Sequence, residues 1–229
     1  MMFQNSYRFK VPPVQSNFPN NELLAYFKME ETGQIAYSSI GSIEGTFIDP
    51  ISPTIGKINS GFYFAGGGNK RMSLTNLGSY FSGKTGATFN TWIKLENHIP
   101  TVEKYTGIAD FNTLTDSTLN LYPYTDGDIY LGFFAQTRKT IGQGIISDRT
   151  QWHMITITSD FGSNVWKFYQ NAQLVHTSTV GTITYKNFII AEQGVYTFNG
   201  SMDEMSFHTR ALTGTEIVAV YNMGEGMTY

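Results

Sequence analysis

The chain has 229 residues, 41% of them hydrophobic and 15% aromatic, which is enough for one domain with a substantial core. Its net charge is -3, and no Lys/Arg run, apolar run of about 18 residues or basic leader occurs, so we expect no nucleic-acid partner, no membrane insertion and no secretory signal. The lack of cysteine excludes disulfides, zinc–thiolate sites and a cysteine nucleophile.

Residues 1 to about 21 are predicted to form an N-terminal arm. Tyr7, Phe9 and Val11 alternate with charged residues, as in a short strand, and Pro12-Pro13 ends the pattern. We expect these three side chains to anchor the chain by adding a strand to another structural protein or to a neighbouring copy. The alternative is an arm that folds onto its own domain.

Residues 22–229 are predicted to form one domain of short strands separated by turn signals. Asp126-Gly127 is a hairpin signal between two of them. The number and spacing of these strands favour an all-β fold, namely an antiparallel two-sheet β-sandwich or jelly roll. The clearest predicted strands are residues 23–29, 61–64, 88–95, 119–122, 129–134, 153–158, 165–170 and 202–207.

One short C-terminal helix of about ten residues is predicted. Thr213 and Glu216 have the spacing of a capping box, and Leu212 and Ile217 that of a hydrophobic staple. Gly224 is placed where such a helix would end. A helix this short needs the sandwich to stabilise it.

Several motifs resemble those of the laminin G-like, concanavalin A-like lectin domains, in the order of that family and over roughly residues 22–223. They are Leu24-Ala25-Tyr26-Phe27, Gly61-Phe62-Tyr63-Phe64, Phe89-Asn90-Thr91-Trp92-Ile93, Trp152-His153-Met154-Ile155, Trp166-Lys167-Phe168-Tyr169, Asn199-Gly200-Ser201-Met202-Asp203 and Arg210-Ala211-Leu212. The resemblance implies two stacked antiparallel sheets with the first and last strands adjacent. We expect Trp92, Trp152, Trp166 and Phe168 to be largely buried or at the sheet interface.

Many members of this family hold a calcium ion, and the resemblance carries Asp203 over as a ligand, with Glu31 as a helper near the first strand. The alternative is that Asp203 accepts backbone N–H bonds and fixes the closing strand. Tyr37 stands near the place where the family often has an aspartate, which weakens the expectation of calcium. The family's Asn-Gly hairpin is Asn171-Ala172 here, which changes only a turn.

Family members bind sugars, proteins or cell surfaces, and a sugar site combines aromatic rings with nearby polar groups. Tyr122 and Tyr124 beside Asp126 and Asp128 offer that combination. The polar residues Asn69 and Arg71 in a glycine-rich segment are a second candidate. Packing at strand ends is the alternative role for the tyrosines.

No catalytic residue is expected. Gly78 to Thr85 fits the phosphate-loop pattern, but a β-type pattern follows it instead of a helix, so a coincidental loop is the better interpretation. Glycoside hydrolysis needs two carboxylates facing one cleft, and the neighbours Asp203 and Glu204 would point to opposite faces of a strand. The four histidines lack zinc-site spacing.

These features predict a non-enzymatic, lectin-like binding or assembly module. The polar, cysteine-free surface and the expected lack of an export signal favour a structural protein of a virus or phage particle, displayed on the virion surface and meeting a cell-surface glycan. The alternatives are a secreted or cell-surface carbohydrate-binding adhesin domain and a degenerate glycoside hydrolase.

Overall fold

The computed structural model describes residues 18–65, 70–95, 106–110, 118–123, 129–135, 137–140, 146, 148–179, 188–193 and 196–229. In chain order the strands are β1 (Leu23–Phe27), β2 (Ile35–Tyr37), β3 (Glu44–Phe47), β4 (Ser52–Ile55), β5 (Ser60–Ala65), β6 (Met72–Leu74), β7 (Gly86–Leu95), β8 (Thr106–Asp110), β9 (Thr118–Pro123), β10 (Ile129–Ala135), β11 (Thr137–Thr140), β12 (His153–Asp160), β13 (Val165–Gln170), β14 (Gln173–Thr179), β15 (Phe188–Ile190), β16 (Glu192–Gln193), β17 (Tyr196–Thr197) and β18 (Asn199–His208). The helix α1 spans Gly214–Tyr221, and two 3-10 helices span Leu77–Phe81 and Asn222–Gly224.

The strands of the described residues form two antiparallel eight-stranded sheets and one small pair. The first sheet has the order β14-β13-β12-β7-β18-β5-β4, with β1 also paired to β18. The second has the order β11-β10-β9-β8-β15-β6-β3-β2. The predicted antiparallel sandwich is therefore confirmed, as is the adjacency of the first strand, β1, to the last, β18.

The main core lies where the inner faces of the two sheets meet. Alternate residues of the first sheet supply large side chains, because successive residues of a strand point to opposite faces. Phe62 meets Phe47 of the second sheet edge to face, with ring centroids 4.9 Å apart. Phe207 meets Phe188 in the same way at 5.3 Å. Burying such rings is the dominant favourable term holding the sheets together.

The outer face of the first sheet is covered at one end by the C-terminal segment. A second apolar cluster there joins Trp92 of β7 and Tyr26 of β1 to Ile217 and Val220 of α1. For this reason β7 is buried on both faces over Gly86 to Ile93, and its outward Thr88 and Asn90 are as buried as its inward Phe89. The Thr88 hydroxyl donates to the Arg210 carbonyl oxygen at 2.7 Å and accepts from the Leu212 N–H at 2.9 Å, which fixes the approach to the helix.

The predicted capping box is confirmed at the start of α1. The Thr213 hydroxyl accepts from the Glu216 N–H at 3.3 Å, and the Glu216 carboxylate accepts from the Thr213 N–H at 2.8 Å. Arg210 donates two hydrogen bonds to the same carboxylate. The helix ends earlier than Gly224, because Asn222 takes the left-handed conformation and caps it after eight residues.

The segment that fits the phosphate-loop pattern overlaps the 3-10 helix Leu77–Phe81 and leads directly into β7. A strand follows Thr85, as the sequence indicates, and in this described segment there is no helix whose amino end could bind phosphate. Within the described residues, no helix has the length and apolar character needed to cross a membrane.

Candidate functional site

An open cleft of about 480 Å³ lies on the outer face of the first sheet, beyond the end that the helix covers. The strand register builds its floor, because Ser52, Tyr63, Ser201 and Lys94 are consecutive partners across β4, β5, β18 and β7. The small Ser201 lies between the long side chains of Tyr63 and Lys94, which leaves a depression. Its described lining residues are Thr54, Ile55, Tyr63, Lys94, Leu95, Trp152 and Ser201.

Trp152 forms one side of the cleft. It immediately precedes β12, whose first residue His153 pairs with Ile93, next to Lys94. Trp152 is half-buried and packs at the margin of the helix-side cluster. Trp152 is thus less buried than the other three aromatic residues that the sequence predicts to be buried or at the sheet interface, because it precedes the first residue of its strand. Trp92, Trp166 and Phe168 are at most 3% exposed, as predicted.

Two aromatic rings, a hydroxyl and a cation thus line one cleft. The Tyr63 hydroxyl also donates a hydrogen bond to Asn199 Oδ1 at 3.4 Å, which helps to orient the ring. Ile55, which is 86% exposed, adds an apolar rim. An aromatic side chain beside hydroxyl and amine donors suits a ligand that has both C–H faces and polar edges. The described lining residues include no carboxylate.

Next to this cleft the outer face is closed. Trp92 stacks on Tyr221 with ring centroids 5.7 Å apart, and Lys57 Nζ lies 5.0 Å from the Trp92 ring centre. Gly226 packs so closely against the indole that a Cβ there would lie 3.3 Å from Trp92 Nε1. The C-terminal segment therefore covers the face around Trp92 and leaves the β4–β5–β18–β7 end of it open.

Asp203, the residue carried over as a calcium ligand, is fully buried opposite Trp92. Its carboxylate accepts from the backbone N–H groups of Ile58 and Glu204, both at 2.9 Å. Burial raises the pKa of this carboxyl group to about 7, against the lowering effect of those hydrogen bonds. These contacts join β18 to the turn before β5. They are the backbone hydrogen bonds expected if Asp203 fixes the closing strand instead of binding calcium.

Glu31 makes a different contact. Its Oε1 accepts from the Tyr37 N–H at 2.9 Å, and its Oε2 is buried without a hydrogen-bond partner among the described residues. Among the residues that the structure describes, no three His, Asp or Glu side chains group as a metal site would require. Calcium binding at Asp203 and Glu31 stays a prediction.

The pair Asp203 and Glu204 departs from the expected alternation. The register of β18 against β7 shifts between Asp203 and Ser206, and Glu204 takes a left-handed φ of 48° at this bulge. Both carboxyl groups are at most 2% exposed. They cannot reach a sugar from these positions, so the pair does not fit the two-carboxylate arrangement of a glycosidase.

The glycan-binding residues predicted from the sequence are not those that line the cleft. Arg71 is half-buried next to β6, and its carbonyl oxygen accepts from the Ile48 N–H at 3.1 Å. Tyr122 pairs with Tyr130 between β9 and β10. The remaining site residues lie outside the described residues: Asn69, Tyr124, Asp126, Asp128 and the arm residues Tyr7, Phe9 and Val11.

Structural comparison shows sandwiches of the same fold at low sequence identity. A sialidase from Trypanosoma rangeli aligns over 91% of this chain and 34% of its own, with a TM-score of 0.69 and 12% identity. The receptor-binding domain of botulinum neurotoxin D aligns over 90% of this chain and 53% of its own, with a TM-score of 0.68 and 15% identity. This chain therefore spans about a third to a half of these structures.

A third structure matches nearly end to end. It is domain 4 of an extracellular arabinanase from Geobacillus stearothermophilus, solved in complex with arabinotriose, and it aligns over 86% of this chain and 97% of its own, with a TM-score of 0.63 and 19% identity. No curated protein matches the chain. The family model described as the concanavalin A-like lectin/glucanase superfamily matches residues 66–218. With its lectin-like β-sandwich fold, the chain belongs to this superfamily.

Proposed function

We propose that this chain is a non-enzymatic, lectin-like module that binds glycans through the cleft beside Trp152. The observation that carries the proposal is the meeting of Tyr63, Trp152, Ser201 and Lys94 around one open depression. A sugar can pack its C–H face on an aromatic ring while its hydroxyl groups bond to the polar rim. The bound arabinotriose of the arabinanase domain and the receptor-binding role of the neurotoxin domain support a binding function for this fold.

The positions of the carboxyl groups support sugar binding without hydrolysis. A glycosidase places two carboxyl groups about 5 to 10 Å apart across the scissile bond. The described lining of the cleft has none, and Asp203 and Glu204 are buried in the sheet. We expect the protein to bind oligosaccharides without releasing reducing ends.

A glycan array followed by titration calorimetry tests this function. Trp152→Ala and Tyr63→Ala are each expected to weaken glycan binding about tenfold, because each removes an aromatic surface of the cleft. Tyr80→Ala is the matched control, since Tyr80 is 47% exposed and outside the cleft, and it should bind normally. Melting curves check that each variant folds. Failure of the unmodified protein to bind any glycan, or full binding by both cleft variants, would contradict the proposal.

We also propose that the sandwich is displayed on a virus or phage particle and attached through its N-terminal arm. The cysteine-free composition and the charged fraction of only 14% support an assembly protein with a polar surface. Antibodies against the sandwich should decorate the surface of intact particles in electron micrographs. Absence of the protein from purified particles would favour an adhesin domain instead.

A further inference from the structure

We infer that the cleft selects a sugar carrying one negative charge, which pairs with Lys94; this inference rests on the proposed glycan-binding function. Lys94 is the single charged side chain among the described residues that line the cleft. It extends from β7 on the outer face of the sheet, and it pairs with Ser201, which in turn pairs with Tyr63. Among the described lining residues, a ligand on this floor would therefore meet one cation and no carboxylate.

The Lys94 ammonium group has no partner of its own in the described part of the chain. Two other cations there are engaged: Lys70 donates to the Pro50 carbonyl oxygen at 2.8 Å, and Arg210 pairs with Glu216. The indole N–H of Trp152 is likewise without a described acceptor. Both lining side chains are therefore hydrogen-bond donors that have no acceptor among the described residues.

The spacing of the cleft fits a charged group at one end and a ring at the other. Lys94 and Tyr63 are two strands apart, which places their Cα atoms about 10 Å from each other across Ser201. Because Lys94 is half-buried, an ion pair formed there is screened less than one on the open surface. Lysine acts as a compact point charge, so one carboxylate or one sulfate is sufficient as a partner.

The lactose series tests this selectivity, since its members differ in a single charged substituent. Calorimetry with lactose, sialyllactose and sulfolactose compares no charge, a carboxylate and a sulfate, and arabinotriose serves as an unrelated neutral probe. The two acidic sugars are expected to bind about tenfold more tightly than lactose at low salt. This advantage should shrink as sodium chloride approaches 1 M. A difference between the two acidic sugars identifies which anion the cleft accepts.

Three variants assign the selectivity to Lys94. Lys94→Gln should bring the affinity for the acidic sugars down to that for lactose, because it removes the positive charge and keeps a hydrogen-bond donor, and Lys94→Arg should keep the advantage. Lys167→Gln is the matched control, because Lys167 is an exposed lysine of β13 in the same sheet, outside the cleft. It should behave as the unmodified protein.

The outcomes separate the inference from the proposed function. Neutral sugars that bind as tightly as acidic ones, or an acidic preference that survives Lys94→Gln, would overturn the inference and leave glycan binding in place. An unmodified protein that binds no sugar at all would overturn both.

Discussion

Glu204 is a buried carboxyl group whose two oxygens have no hydrogen-bond partner among the described residues. It lies at the bulge of β18, and burial raises its pKa to about 8. An unpaired carboxylate at such a site is costly, so the group is expected to hold its proton at neutral pH. The neighbouring Asp203 shifts in the same direction, to a pKa of about 7.

The first prediction follows from this protonation. The folded protein keeps a proton on Glu204 that the unfolded chain releases above its ordinary pKa of 4.5. Stability contributed by the neutral group is therefore present below pH 4.5 and is lost as the pH rises toward 8. Glu204→Gln, which cannot ionise, should raise the free energy of unfolding at pH 9 by about 3 kcal/mol and change it little at pH 4.5. Urea denaturation at the two pH values measures this.

Two comparisons make the measurement specific. Glu225→Gln alters an exposed glutamate and should leave the pH dependence unchanged. His208 acts in the opposite direction, since burial lowers its pKa to about 4 and stability is lost as the pH falls from 6.5 through that value. If Glu204→Gln and the unmodified protein lose the same free energy of unfolding between pH 4.5 and pH 9, Glu204 is already ionised in the folded protein at neutral pH.

The cleft shows what residue patterns alone do not predict. Tyr63, Ser201 and Lys94 come from three strands that are distant in sequence, and they meet only because of the strand order β5-β18-β7 and its register. A register shift of one residue would send each of them to the core face. The alternation of Tyr63 with Phe62 and Phe64 was a local signal that Tyr63 faces outward, but no local signal pairs it with Lys94.

At the scale of elements, the turn between β13 and β14 has an unusual residue. Asn171 and Ala172 both have positive φ, 49° and 63°, which is the conformation of a tight two-residue hairpin. Asn171 suits it, and its Oδ1 also accepts from the Met154 N–H at 2.9 Å. Ala172 does not, because its Cβ is crowded by the following carbonyl oxygen in this conformation.

The second prediction is that Ala172→Gly stabilises the protein. Relief of the left-handed strain exceeds the extra entropy of glycine in the unfolded chain, and we expect a gain of about 0.5–1 kcal/mol and a rise in melting temperature of about 2 °C. Calorimetric melting measures it. Ala65→Gly in β5 is the control with ordinary φ and should destabilise by a similar amount. A loss of stability in both variants would mean that the Ala172 backbone is unstrained.

Long strands with clear alternation could be predicted from the sequence, whereas short edge elements could not. The predicted residues 165–170 coincide with β13, and 153–158 lie within β12, because β-branched and aromatic residues alternate there. The three-residue strands β2 and β6 carry too few residues to show a period. Trp152 belongs to a strand-like family motif, but it precedes the first residue of β12 and is less buried than Trp92 and Trp166.

At the scale of the whole molecule, the first described residues and the C-terminal residues cover the same end of the first sheet. Phe18 packs against Tyr26 with ring centroids 5.1 Å apart and against Tyr229 at 6.2 Å. His208 Nε2 bonds the Pro19 carbonyl oxygen at 2.8 Å. Residues 18 and 19, which the sequence assigns to the arm, thus contact the sandwich.

The last prediction separates anchoring from folding by two truncations. Removal of residues 1–16 keeps Phe18, so the melting temperature of the isolated protein should stay within about 2 °C while attachment to its partner or to a neighbouring copy is lost. Removal of residues 1–21 also deletes the buried Phe18 ring and should lower the free energy of unfolding by about 3 kcal/mol. Sedimentation measures attachment, and thermal denaturation measures stability. A large fall in melting temperature after the shorter truncation would place the arm within the fold of its own domain, because Tyr7, Phe9 and Val11 would then be stabilising the sandwich that they were expected to leave.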